Sequence, residues 1–210
     1  MTKIVTVGRE FGSGGREIGK RLADELNINY YDKTIITRIA EKSDFSESFV
    51  ESILEDGAMQ RNFLSFGHTF TDCAWASTGI TEKILRAQKE VIETLAETDC
   101  VIVGRCADLI LSEKRPFRLF IYADEQSRLQ RCRLHAEGEE QRLSDKKLLK
   151  KIRAVDRGRK KLYGLFYGRE WGRRENYDLC VNTSHADISK IAPCLAEYVR
   201  KWYENKERAE

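Results

Sequence analysis

Gly8-Arg9-Glu10-Phe11-Gly12-Ser13-Gly14-Gly15-Arg16-Glu17 is the stretch on which the fold turns. It follows the apolar run Ile4-Val5-Thr6-Val7, and behind it Ile18, Leu22 and Leu26 recur at helical spacing. That is the order strand, glycine loop, helix of a phosphate-binding site. Glycines at 12, 14 and 15 let backbone N–H groups turn toward a ligand without Cβ obstruction, and a helix N-terminus facing the loop favours an anion. The dinucleotide pattern G-x-G-x-x-G fails, because the residue three after Gly14 is Glu17. A mononucleotide phosphate cradle built from Gly12, Ser13, Gly14, Gly15, Arg16 and Glu17 is the reading to carry forward. The same residues also describe a plain glycine-rich turn.

The stretch departs from the standard phosphate loop G-x-x-x-x-G-K-[ST]. Aligned on the helix that follows, Arg9 stands at the first glycine, Gly15 at the lysine and Arg16 at the Ser/Thr. The lysine is absent. Arg16, one residue on, carries a permanent charge on a planar fork suited to phosphate oxygens and is the candidate replacement.

A chain of 210 residues suits one domain with a sizeable core and a small inserted segment. Hydrophobic residues at 41% and charged residues at 34% describe a globular protein, and a net charge of +3 is too small to imply nucleic-acid binding. There is no N-terminal apolar segment of the signal-peptide kind and no long apolar run, so no membrane partner and a cytoplasmic location are expected. Six cysteines lie scattered without C-x-x-C spacing and three histidines do not cluster, which favours reduced thiols over disulfides or a zinc site.

Farther along, Tyr30-Tyr31 reads as a short second strand followed by Asp32-Lys33 and a helix through Ile35, Ile36 and Ile39. Asp44 and Ser46 read as caps for a helix with the stripe Phe49, Val50, Ile53 and Leu54. From Ala58 to Gly79 the pattern weakens, as expected of a mobile or substrate-covering segment rather than a framework element. Ile84, Leu85, Val91, Ile92 and Leu95 restore helical spacing. Cys100-Val101-Ile102-Val103 is a central parallel strand by its uniform hydrophobicity, and Gly104-Arg105 sits beyond its carboxyl end, where open α/β sheets bind ligands. A further strand, Phe117 to Tyr122, leads to a helix with Arg128, Arg131 and Arg133. Between Glu137 and Tyr167 the chain is strongly basic, which describes either a ligand-covering segment or a solvated helix face. Tyr177 to Asn182 is the last strand, and a helix from about Asp187 contains Pro193, where a kink is possible. Strands alternating with helices predict a three-layer α/β sandwich around a five-stranded parallel sheet.

Tyr31-Asp32-Lys33, Val103-Gly104-Arg105-Cys106, and Asp156-Arg157-Gly158-Arg159 followed by Tyr163, Trp171 and Tyr177-Asp178-Leu179 make the chain resemble the cytidylate kinase-like branch of the P-loop nucleoside monophosphate kinases, over about residues 3 to 200. The resemblance implies a P-loop NTPase-type sandwich with an acceptor-binding helical region at about 33–98 and a lid at about 137–168. It implies Asp32, Arg38 and Arg105 at the acceptor, and a lid carrying Arg131, Arg153, Asp156, Arg157 and Arg159, in which Asp156 and Arg159 match a D-x-x-R pair. It departs from the family where Val103 and Cys106 flank Gly104-Arg105 in place of aspartates.

The activity this implies is ATP-dependent transfer of a γ-phosphoryl group to a small phosphorylated acceptor, a nucleoside monophosphate such as CMP. Arg16, Arg105 and Arg159 would be the catalytic cations, and Arg131 or Arg157 would join Arg159 on the transferring group. Mg²⁺ would arrive with ATP, helped by Glu17 or Asp32. The competing reading is a non-catalytic nucleotide-binding or regulatory protein that keeps the fold, and the missing lysine is its support.

Overall fold

The computed structural model describes residues 2–55, 72–136 and 138–207. Five strands, β1 (Ile4–Arg9), β2 (Asn29–Tyr31), β3 (Cys100–Val103), β4 (Phe117–Tyr122) and β5 (Leu179–Asn182), form one sheet in the order β2-β3-β1-β4-β5. Every pairing is parallel, with Val7 opposite Val103 on one side of β1 and opposite Leu119 on the other. β3 is buried at all four positions, as its uninterrupted apolar run requires of a strand covered on both faces. The chain passes from β1 out to β2, back to β3 and then across β1 to β4, so strand order reverses around β1. The crevice above the carboxyl ends of β1 and β3 is the place where such a sheet binds ligands.

Alternation along β1 divides the core. Ile4 belongs to a cluster with Ile35 and Ile39 of α2 (Thr34–Ser43), Val50 and Leu54 of α3 (Glu47–Glu55), and Ile84 and Ile92 of α4 (Asp72–Leu95). Val5 and Val7 face the other layer, where Ile18 and Leu22 of α1 (Gly15–Leu26) meet Leu195 and Val199 of α8 (Ile188–Glu207). Between these lie the short α5 (Ala107–Ile110), then α6 (Glu125–Leu134) and α7 (Asp145–Tyr167). A third, smaller cluster joins Leu129 of α6 to Leu148 and Ile152 of α7, with Phe11 of the glycine loop packed against it.

Two local readings change. Asp44 takes φ +59° and closes α2, its N–H donating to Ala40 O, while Ser46 Oγ accepts from Phe49 N–H (3.3 Å) and caps α3. Residues 72–79, expected outside the framework, are the opening turns of α4; residues 58–71 of that expectation lie outside the described residues. α8 continues through Pro193, which falls in its second turn. No helix among the described residues is long and apolar enough to cross a membrane. Among the described residues Cys100, Cys106, Cys180 and Cys194 are free thiols, and burial pushes those of Cys100 and Cys106 up to about 12.

Candidate functional site

The glycine loop bends twice through left-handed backbone, at Gly12 (φ +79°) and Gly14 (φ +82°), before α1 begins at Gly15. The first i→i−4 bond of α1 runs from Ile18 N–H to Gly14 O (3.0 Å), and no side chain caps the helix. The N–H groups of Gly15, Arg16 and Glu17 therefore precede the helical ladder and project from its end, where the helix dipole is positive. The loop glycines also meet the protein itself. A Cβ at Gly12 would lie 2.8 Å from Arg128 O, so the backbones of loop and α6 approach as only glycine permits. Ser13 Oγ donates to Glu10 O (2.9 Å) and Ser13 O accepts from Thr183 Oγ1 (2.7 Å), fixing the loop to its own start and to the end of β5.

Four arginines meet at the carboxyl ends of β1, β2 and β3. Asp32, just beyond β2, is buried and pairs with Arg16 (Nε–Oδ2 2.5 Å) and, more loosely, with Arg9 (Nη2–Oδ1 3.8 Å). Arg9 ends β1 with its side chain buried, and its guanidinium crosses onto Gly104. A Cβ at Gly104 (φ +76°) would fall 1.5 Å from Arg9 Nη1, and one at Gly15 would fall 2.4 Å from Arg9 Cβ. Burial and the neighbouring Arg159, Arg105 and Arg16 lower the Arg9 pKa to about 9, against the raising effect of Asp32. Arg105 follows in left-handed backbone (φ +58°), and its carbonyl accepts from Gln88 Nε2 (3.1 Å) of α4. Arg9, Arg105 and Arg159 share the wall of a cavity of about 40 Å³ with Asp108, Tyr163 and Trp171.

α7 crosses above this crevice on one face. Leu148, Ile152, Asp156, Arg159 and Tyr163 follow one another at intervals of three or four and all turn inward. Asp156 Oδ1 accepts from Phe11 N–H (2.8 Å), and Arg159 Nη1 donates to Arg9 O (3.0 Å) with its fork 5.8 Å from the centre of the Phe11 ring. Arg128, buried on α6, donates to Phe11 O (2.7 Å), contacts Asp156 and pairs with Glu10 (3.3 Å), whose carboxylate accepts from Ala123 N–H (3.1 Å). Glu10, Arg128, Asp156 and Arg159 thus form a chain of alternating charge that wraps the first half of the loop. Burial raises the Glu10 pKa, and the Ala123 N–H and Arg128 offset part of that rise.

The other expected residues occupy more peripheral places. Glu17 pairs with Arg21 one turn along α1 (2.9 Å). Arg38 is exposed on α2 and lies 5.9 Å from the centre of the Tyr31 ring. Arg131, on α6 outside α7, holds Thr183 O and Thr183 Oγ1 (3.3 Å) and so ties α6 to the turn after β5. Arg153 forms a two-pronged pair with Glu125 (both 2.6 Å), and Arg157 is exposed beside a shallow cleft that also involves Glu10 and Trp171.

The sequence pattern passes over Arg9 and Arg128. For Arg9 the signal is present: it is a charged residue at the carboxyl end of a buried parallel strand, the same position that marks Arg105. For Arg128 no signal separates it from Arg131 and Arg133, since three arginines on a short helix cannot be ranked without knowing which face meets the loop.

Among the described residues no group of three or more His, Cys, Asp or Glu side chains is arranged to hold a metal ion. Mg²⁺ needs less of a protein, since one or two carboxylates suffice when phosphates supply the rest. Asp32 beside the α1 N-terminus and Glu17 in its first turn fit that requirement, each now held by an arginine.

A family model described as the cytidylate kinase-like family matches residues 4–185. A crystal structure of an uncharacterized protein from Eubacterium ventriosum is 24% identical, covers 95% of this chain and 99% of its own, and superposes with a TM-score of 0.64. Shikimate kinase from Bacteroides thetaiotaomicron gives 0.53 at 14% identity over 94% of this chain and 98% of its own. A sugar kinase from Janibacter sp. gives 0.51 at 15% identity over 97% and 95%. At these identities the likeness is one of fold. The comparison with curated proteins found no match.

Proposed function

This chain belongs to the cytidylate kinase-like family, and from that premise we propose that it is an ATP-dependent phosphotransferase whose acceptor is a nucleoside monophosphate such as CMP. The observation that carries the reading is the pairing of Arg16 with Asp32 beside the uncapped N-terminus of α1, with Arg105 and Arg159 on the wall of the adjoining cavity. So many guanidinium groups facing one crevice repel one another when it is empty and gain from a polyphosphate.

Phosphoryl transfer asks little covalent chemistry of a protein; positioning and neutralisation supply most of the rate. The free N–H groups at the start of α1 and the exposed fork of Arg16 suit the donor's β-phosphate. Arg105, with the exposed Arg38 and the buried Asp32, suits the acceptor. An acceptor phosphate oxygen attacks the γ-phosphorus, the bond from that phosphorus to the β–γ bridging oxygen breaks, and ADP leaves with the electron pair. No proton has to be removed from an anionic acceptor. Arg159, fixed over the loop by α7, would serve the group in transit, with Arg157 as its companion; the Arg131 fork is engaged by Thr183. Bound with ATP, Mg²⁺ would neutralise charge on the phosphates, and Asp32 or Glu17 would help hold it.

The test is ADP formation from ATP in the presence of each of the common ribo- and deoxyribonucleoside monophosphates. Acceptor-dependent ADP with one or a few of them supports the reading. ADP at the no-acceptor level for all of them removes it and favours a protein that binds nucleotides without transfer.

A further inference from the structure

We infer that Arg9 is a phosphate-binding residue of this site, a guanidinium threaded through a slot of two glycines. The inference rests on the phosphotransferase reading but concerns one residue which that reading does not require.

The slot is the first observation. The Arg9 side chain leaves β1 where Gly15 has no Cβ to block its stem, and its head settles where Gly104 has no Cβ to block the fork. Two glycines from different elements, one in the loop and one after β3, are thus both shaped to the same side chain. A surface arginine needs no such path, and long charged side chains otherwise keep their heads in water.

The second observation is what surrounds the head. Arg9 is 9% exposed, and among the described residues its carboxylate partner is Asp32 at 3.8 Å, which holds Arg16 much closer. Arg105 and Arg159 share the cavity wall with it, and Asp108, the one acidic residue of that wall among the described residues, already accepts from the Tyr163 hydroxyl (2.7 Å). A buried guanidinium with a distant, shared counter-charge and cationic neighbours is an incomplete arrangement, and a tetrahedral anion completes it. The cavity of about 40 Å³ exceeds the roughly 10–15 Å³ that a single water needs. A planar fork presents two parallel N–H groups to phosphate oxygens, which a lysine in the same slot cannot do.

The ligand chemistry is a phosphate group, which either the acceptor's phosphomonoester or the donor's terminal phosphate could supply. Calorimetric titration of the full chain with inorganic phosphate, CMP and ATP separates the two, using wild type, Arg9→Met and Arg9→Lys. Arg9→Met is expected to weaken inorganic phosphate by about 10- to 100-fold, the value of one charge-assisted contact. It is expected to weaken in parallel whichever nucleotide places its phosphate there, CMP for an acceptor subsite or ATP for a donor subsite. Its melting temperature should be no lower than that of wild type, because an apolar side chain of similar length replaces a poorly paired buried charge. Should Arg9→Met fail to fold, Arg9→Lys, which keeps the charge and loses the fork, gives the same comparison. A folded variant that binds all three ligands as tightly as wild type overturns the inference, and so does a wild type that binds none of them. Absence of turnover in wild type would count against the phosphotransferase reading alone, since these titrations do not depend on it.

Discussion

Asp156 Oδ1, on α7, accepts a 2.8 Å hydrogen bond from the backbone N–H of Phe11, in the middle of the glycine loop. A loop N–H is thereby held by a helix that begins more than a hundred residues later. Asp156 also lies between Arg128 and Arg159, so one carboxylate serves the loop backbone and two guanidinium groups. Such a group shapes the loop whatever else it does.

Asp156→Ala removes the acceptor for Phe11 N–H and leaves the buried Arg128 without its nearer counter-charge. Breaking a largely buried pair from one side costs about 3–5 kcal/mol, so equilibrium urea unfolding should show a loss of about 3 kcal/mol or more. Asp156→Asn keeps an acceptor oxygen and should lose less. A loss below about 1 kcal/mol for the alanine variant, the scale of a surface pair, would sink the idea that this carboxylate holds the loop.

How much of this was legible in the chain depends on the kind of signal. The buried strands and the glycine loop could be read directly, because uniform hydrophobicity and adjacent glycines leave few alternatives. The start of α4 could not, since Thr78 and Gly79 are poor helix formers, yet the helix extends back from the Ile84 stripe once that stripe is packed. α7 lies between these cases. Its charge density describes a solvated face, but extending the apolar pair Leu148 and Ile152 at helical spacing reaches Asp156, Arg159 and Tyr163, and these turn inward. Arg9 stands at the end of a buried parallel strand, a position the pattern does mark, but what fixes its path is the missing Cβ of Gly104, ninety-five positions away, and no local pattern conveys that path.

Arg16 contacts Asp32 at 2.5 Å with more than half of its side chain exposed. Because Asp32 is itself buried and keeps the looser Arg9 contact (3.8 Å), Arg16→Ala should lower the melting temperature. It should weaken ATP by about 1.5–3 kcal/mol, the value of a charge-assisted phosphate contact. Unchanged ATP affinity together with an unchanged rate would take Arg16 out of the site.

Arg105 holds its backbone in the left-handed region, a conformation that lysine would adopt at the same cost. Arg105→Lys consequently tests the head group alone. Because a lysine cannot form a two-pronged clamp, the KM for the acceptor should rise while the ATP dissociation constant stays put. The reverse pattern would assign Arg105 to the donor.

The α7 segment should respond to ligand more than the sheet beneath it. Its inward charges meet the loop and the cavity, so a two-substrate analogue that bridges both phosphate sites should slow amide exchange across α7 more than across β1 or β3. Equal exchange with and without the analogue would mean that the Leu148–Ile152 contact alone fixes the helix and that its outer charges are only solvated.

Asp108 offers a pH test of the far end of α7. Tyr163 donates to its Oδ2 (2.7 Å), yet burial outweighs that bond and raises the carboxyl above its ordinary value of 3.8. A raised folded-state pKa means that the native protein binds this proton more readily than the unfolded chain does. The stability that Asp108 contributes is then fully present below pH 3.8 and is lost as pH rises through its folded value. Asp108→Asn cannot titrate and keeps an oxygen for Tyr163, so subtracting wild type from the variant isolates this one proton. The difference in unfolding free energy should move in favour of the variant as pH rises from the 3.8 region toward neutrality, by at most about 1.4 kcal/mol per pH unit. The absolute sign at pH 7 is less informative, because the amide gives up one of the two carboxylate oxygens. A difference that stays flat across this range, or moves toward wild type, would mean that the ionised carboxylate is the form the fold prefers, and that Arg118 and the crevice arginines outweigh the burial of Asp108.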